Sequence, residues 1–178
     1  MVEWNADPVE TVLHNRRKGI EHVKHWPIVR SDVREIDWRK YAGVDLVAGG
    51  PPCQPFSIGG KHRGDDDHRD MWPQAIRAVC ETRPNAFIFE NVRGLARPKF
   101  ALYLQSIIDG LARPAVDLNY SLKLFKVNAA DFGAAQKRHR IVIAGVRSDL
   151  AGDDLPDLMP THSRERLLWE QFVTGDYW

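Results

Sequence analysis

The chain has 178 residues, with 25 Lys and Arg against 24 Asp and Glu, a formal net charge of +1, 43% hydrophobic residues and 28% charged ones. That is the composition of a globular domain with one sizeable core, and it excludes both a disordered polyelectrolyte and a protein held to its partner by global charge. With no apolar run long enough for a bilayer, no cleavable signal, and two cysteines that form no spaced pair, a membrane span, a disulfide framework and a zinc ribbon are excluded and a reducing, cytoplasmic setting is expected.

In chain order, apolar and helical patterns alternate, which predicts an α/β domain with a largely parallel sheet. A strand stub at residues 2–4 precedes a helix over 8–17 and a strand over 27–30. The next strand spans 44–49. A helix over 70–82 places Ile76, Val79 and Cys80 on one face, so Cys80 is expected in the core. A strand over 86–90 and a helix over 99–111 follow. Strands over 121–127 and 140–146 are joined by "NAADFGAAQKRH", too short for a helical crossover, so they are expected to pair antiparallel. Beyond Arg147 the chain is polar and Pro-rich, then aromatic up to Trp178. The charged stretches "HNRRKGIEHVKHW", "AQKRHR", "GDDDHRD" and "AGDDLPD" read first as solvated surface.

Three segments with chemical potential fall at strand ends, where ligands sit in parallel α/β sheets. In "VDLVAGGPPCQPFS" a strand stops at Gly49-Gly50-Pro51-Pro52 and Cys53 follows on a stiffened turn. A lone cysteine is most often a small buried apolar residue, but a rigid turn suits a nucleophile. In "FIFENVRGL" the buried strand ends on Glu90. Such a glutamate is commonly solvated or paired with a base; held protonated, it donates a hydrogen bond or acts as a general acid. In "QKRHRIVIAG" Arg138 and Arg140 are two apart and share a face if both are extended. Two guanidiniums aimed one way suit a carbonyl oxygen, carboxylate or phosphate; the plainer reading is a strand-edge pair that discourages aggregation. No metal is expected, because the spacing of "DDDH" is not distinctive. A thiol hydrolase pairing Cys53 with His62 or His68 lacks an orienting partner.

Taken together and in this order, "PPCQPFS", "ENVRGL" and "QKRHRIVIAG" strongly resemble the DNA (cytosine-5)-methyltransferase family. The resemblance runs from Val2 to about Val146, with the weaker segments "VEWN", "SDVREI" and "NAADFGAAQ" inside it and "PTHS" further on. It implies a Rossmann-like fold dependent on S-adenosylmethionine, with a mostly parallel sheet and a C-terminal antiparallel hairpin. By resemblance Cys53 is the nucleophile that adds to carbon 6 of cytosine. Glu90 matches the carboxyl that serves ring nitrogen 3. Arg138 and Arg140 match the arginines that hold the cytosine carbonyl oxygen. The resemblance also implies double-stranded DNA as partner, with the target base flipped out of the stack. Residues 57–70 resemble the loop that closes over that base, with Lys61 and Arg63 within reach of backbone phosphates. For the cofactor, Glu3 matches the acid that binds ribose hydroxyls and Trp4 the residue that packs on adenine. Asp32, beside Val33, matches the contact to the adenine amino group, and Pro52 lies between cofactor and base.

The pattern departs from the family in two places. Nothing before Glu3 supplies the aromatic-x-Gly-x-Gly opening, and the chain stops at Trp178 before a target-recognition domain. The expected reading is residues 1–148 as a partial catalytic domain and 149–178 as the start of a connection to that missing domain. On that reading the chain is a truncated or split enzyme, inactive and poorly soluble alone, and complemented by a second fragment or subunit. The alternative is a non-catalytic remnant that at most binds DNA or a complementing subunit.

Overall fold

The computed structural model describes residues 1–52, 70–151 and 155–162. The chain divides into two compact units, Met1–Lys40 and Tyr41–Trp178. Among the described residues no helix is long and apolar enough to cross a membrane.

The first unit is built on β1 (Val2–Glu3), α1 (Ala6–Arg17) and β2 (Val29–Arg30). The strands run parallel, with Val2 opposite Val29 and Glu3 opposite Arg30. Helix α1 starts two residues earlier than its periodicity suggests because Asn5 caps it, accepting the Asp7 amide at 3.2 Å. Asp7 in the first turn and Arg16 and Arg17 in the last oppose the helix dipole favourably. The Arg16 guanidinium also donates to the Trp26 carbonyl and fastens the helix end to the segment before β2.

The second unit contains β3 (Leu46–Gly49), α2 (Trp72–Thr82), β4 (Ala86–Val92), α3 (Ala101–Ala112), β5 (Tyr120–Asn128) and β6 (His139–Arg147). They form a sheet of order β3-β4-β6-β5. β3 and β4 are parallel, while β6 runs antiparallel to both β4 and β5. The antiparallel β5–β6 hairpin is the one expected from the short connection. Among the described residues β1 pairs only with β2, and β3 only with β4.

One face of this sheet carries the core. Phe87 and Phe89 of β4 alternate with residues turned the other way and are 1% and 3% exposed. Their register partners on β6 are Gly145 and Ile143. Against them pack Trp72 and Val79 from α2 and Leu104, Ile107 and Leu111 from α3. Each such buried side chain contributes about 1.5–3 kcal/mol. Gly110 lets the two helices approach closely, since a Cβ there would sit 2.8 Å from Ile76 Cδ1. Cys80 corrects the expectation made for it. It is half-buried, because the inward stripe of α2 runs through Trp72, Ala75, Val79 and Thr82 and leaves Cys80 at its border.

Candidate active site

Strand direction gathers the site at one end of the second unit's sheet. Parallel β3 and β4 both stop there, β5 ends there at Asn128, and β6 starts there at His139 opposite it. Beyond β3 the chain enters Gly50-Pro51-Pro52. Asn91, 2% exposed, holds this turn by donating from Nδ2 to the Pro51 carbonyl at 3.1 Å. Its Oδ1 accepts the Val92 amide at 2.8 Å, so both ends of the buried amide are used. Pro52 is thereby placed directly after a carbonyl anchored to β4. Asn91 was not singled out from the sequence. The available signal was a polar residue at the third inward position of a strand whose other inward positions are Phe87 and Phe89.

On the opposite face of the sheet, Glu90 Oε1 forms an ion pair with Arg140 Nε. Glu90 faces Val142 and Arg140 faces Val92 across the ladder, so the two are diagonal neighbours on one face. The Arg140 side chain is 21% exposed and the Glu90 side chain 47%. Arg140 Nη1 also donates to the His139 carbonyl at 2.8 Å, which fixes the guanidinium from its other end. The missing side chain of Gly50 leaves space beside the pair: a Cβ there would lie 3.8 Å from Glu90 Oε2.

Arg138 does not share this arrangement. It precedes β6, and its backbone closes the hairpin, donating to Asn128 Oδ1 at 3.0 Å and accepting the Ala129 amide at 3.0 Å. Its side chain is exposed. The structure therefore brings Arg140, and not Arg138, to Glu90.

The other predicted residues fall in the first unit. Trp4 follows β1, and Asp32 follows β2 with Ser31 between; the Ser31 amide donates to the Glu3 carbonyl at 3.1 Å and extends the parallel ladder. Glu3 Oε1 accepts the Asn5 amide at 2.9 Å. Trp4 is 72% exposed. Asp32 caps the 3-10 turn Val33–Glu35, accepting the Arg34 amide at 2.9 Å while Arg34 Nε lies 3.0 Å from both its oxygens. The Arg34 guanidinium is the main reason that its carboxyl is held down at about 2.

Cys53, the loop 57–70 apart from Asp70, and the residues of "DDDH" lie outside the described residues. Among the described residues no group of His, Cys, Asp and Glu is placed to hold a metal ion.

A model of C-5 cytosine-specific DNA methylase matches residues 18–169. The type II methyltransferase M.NgoMIV of Neisseria gonorrhoeae is 42% identical over 149 residues, which cover 84% of this chain and 44% of that protein. The type II methylase M.HgiEI of Herpetosiphon aurantiacus is 42% identical over 166 residues, covering 92% of this chain and 33% of that one. The chain thus spans less than half the length of these curated relatives. The solved structure of the Entamoeba histolytica methyltransferase EhMeth superposes with a TM-score of 0.60 at 16% identity, over 91% of this chain and 48% of that one, and supports the fold. With the family match running over most of its length, the chain belongs to the C-5 cytosine-specific DNA methylase family.

Proposed function

We propose that this chain carries the covalent half of cytosine-5 methyl transfer to double-stranded DNA. The observation that carries the reading is the Glu90–Arg140 pair beside the Gly50-Pro51-Pro52 turn that Asn91 pins to β4. The next residue in the sequence after that turn is Cys53.

Carbon 5 of cytosine is too weak a nucleophile to be alkylated unaided. The Cys53 thiolate forms a bond to carbon 6, and the displaced electron pair makes carbon 5 an enamine terminus. Arg140 turns its donors to the cytosine carbonyl oxygen and releases Glu90, which takes a proton from solvent and donates it in a hydrogen bond to ring nitrogen 3; both groups stabilise charge developing on the ring. Arg138 adds positive potential that favours the thiolate. When bound, S-adenosylmethionine supplies the electrophilic methyl group. A base then removes the carbon 5 proton, the electron pair returns to the ring, and the bond to sulfur breaks.

The residues present fit an adenosyl group. Glu3 keeps one carboxylate oxygen for a ribose hydroxyl, Trp4 offers an exposed ring face for adenine, and Asp32 stays ionised and would accept an adenine amino group in place of Arg34. Val33 follows Asp32 directly, and Pro52, in the second unit, is assigned to the cofactor by resemblance to the family. In this reading residues 1–148 form the catalytic part and 149–178 the connection towards target recognition. A complementing fragment would add its strand to β3 along the side that has no ladder partner among the described residues.

The test is covalent trapping on a duplex carrying 5-fluorocytosine, where fluorine blocks the elimination. With S-adenosylmethionine and a fragment bearing the Gly-rich opening, the wild-type chain is expected to form an adduct that survives denaturation. Cys53→Ala should form none. No adduct from either protein would favour the non-catalytic remnant; an adduct from the alanine variant would refute Cys53 as the nucleophile.

A further inference from the structure

The two ends of the four-stranded sheet treat charge differently. Where β4 begins, Arg83 meets Asp117 through two bonds of 2.8 and 3.2 Å, Arg147 meets Asp149 at 2.6 Å, and Asn85 bonds Asp45 at 2.8 Å. Where β4 stops, Arg93, Arg97, Lys126, Lys137 and Arg138 have no carboxylate partner among the described residues. Lys99 rests its ammonium 4.7 Å over the Phe100 ring. Of the carboxylates at that end, Glu90 is taken by Arg140, Asp131 accepts from Asn128 Nδ2 at 3.3 Å, and Asp70 accepts from the Trp72 amide at 3.0 Å and from the Tyr103 hydroxyl.

Arg93 and Arg97 sit on a rigid base. The 3-10 turn Arg93–Ala96 follows β4 directly and leads through Arg97 into a second, Pro98–Phe100. Leu95 and Phe100 sink into the core at 0% and 7% exposure. The Arg97 amide donates to the Gly94 carbonyl at 3.3 Å, and the Phe100 amide to the Arg97 carbonyl at 2.9 Å. Arg93 is exposed and Arg97 half-buried. Unpaired like charges crowded at one end repel and cost stability, so the fold gains nothing from them. A row of phosphates would satisfy them, because the guanidinium fork matches two phosphate oxygens at once.

We propose that Arg93 and Arg97 are phosphate-binding positioning residues that seat the duplex backbone against the catalytic end of the sheet. The choice of DNA as occupant rests on the methyltransferase reading above. The charge pattern itself identifies only a regularly spaced polyanion.

The test is the salt dependence of binding. The full chain is titrated with a fluorescein-labelled duplex between about 50 and 200 mM salt, where log K against log[salt] falls by about 0.9 for each phosphate neutralised. The double variant Arg93→Gln/Arg97→Gln is expected to lower that slope by about 1.8 and to weaken binding equally for duplexes of different sequence. Arg93→Lys/Arg97→Lys should restore the slope, and Arg83→Gln, at the opposite end, should leave it unchanged. An unchanged slope in the double variant, or no duplex binding by the wild type, would overturn the proposal. Trapping on 5-fluorocytosine DNA separates this from the parent reading. A trapped adduct with an unchanged slope refutes the phosphate contacts alone. A reduced slope without any Cys53 adduct supports the contacts and refutes the catalytic reading.

Discussion

Strand β4 has two faces with different work. On one, Phe87, Phe89 and Asn91 point into the core and are nearly or fully buried. On the other, Ile88 is 41% exposed and Glu90 stands beside Arg140. Alternation makes this division unavoidable, because each residue step along a strand switches face. The lesson lies in Asn91, a polar residue on the apolar face. Its amide reaches across to the Pro51 carbonyl, so the packed face also sets where the turn before Cys53 leaves β3. A rigid core thus positions chemistry that takes place on its other side.

The largest expected effect tests whether the open face is functional and nothing more. Glu90→Gln keeps the shape of the side chain but removes the charge that Arg140 pairs with. We expect the rate of adduct formation to fall about 10²-fold or more, comparable to losing one oxyanion donor. The unfolding midpoint should barely move, because an exposed ion pair contributes about 0–1 kcal/mol. A rate within threefold of wild type together with a clear loss of stability would reverse the assignment of the two faces.

The packed face should respond in the opposite way. Gly145 lies opposite Phe87 in the ladder, and a Cβ there would meet the Phe87 ring, with Cε1 at 2.6 Å. That ring is fenced by Phe89, at 5.7 Å between centroids, and by Tyr120, at 5.1 Å, so it has little room to yield. Gly145→Ala is therefore expected to destabilise the chain by about 1–3 kcal/mol, as overpacking does, measured by urea unfolding. DNA affinity per folded molecule should be unchanged. A neutral result would mean that the ring moves aside and the packing is looser than these distances imply.

Most of the elements are legible in the sequence because each is a local pattern. The differences at their borders have physical causes that lie elsewhere in the chain. The strand expected over 27–30 forms only at Val29–Arg30, as Pro27 has no amide for a ladder. β4 runs on to Val92, two residues past Glu90, because β6 supplies partners for Asn91 and Val92. That β6 inserts between β4 and β5 depends on long-range register, which no local pattern encodes. For the same reason Glu90 and Arg140 are legible as strand-end residues, while their pairing with each other is not. Arg138 had the right type and spacing, yet the strand begins one residue too late to include it.

The smallest expected effect concerns Tyr120, which joins the packed face at the end where β4 begins. It is 4% exposed, stacks edge-on against Phe87 and donates from its hydroxyl to the Pro84 carbonyl at 2.7 Å. Desolvation by burial, the main cause, raises the phenol from its usual 10.0 to about 12. The folded chain thus holds the neutral form. The stability linked to this proton is complete below pH 10 and is lost as pH rises through about 12. Tyr120→Phe removes the donor while leaving the ring, and should cost about 1 kcal/mol at neutral pH, the net worth of one hydrogen bond. Above pH 10 the wild type should lose stability that the variant does not have to lose, so the gap between them should close towards pH 12. Paired urea titrations across that range provide the check. A gap that stayed constant would mean that the phenol ionises with water around it, and that this end of the core is less closed than its burial indicates.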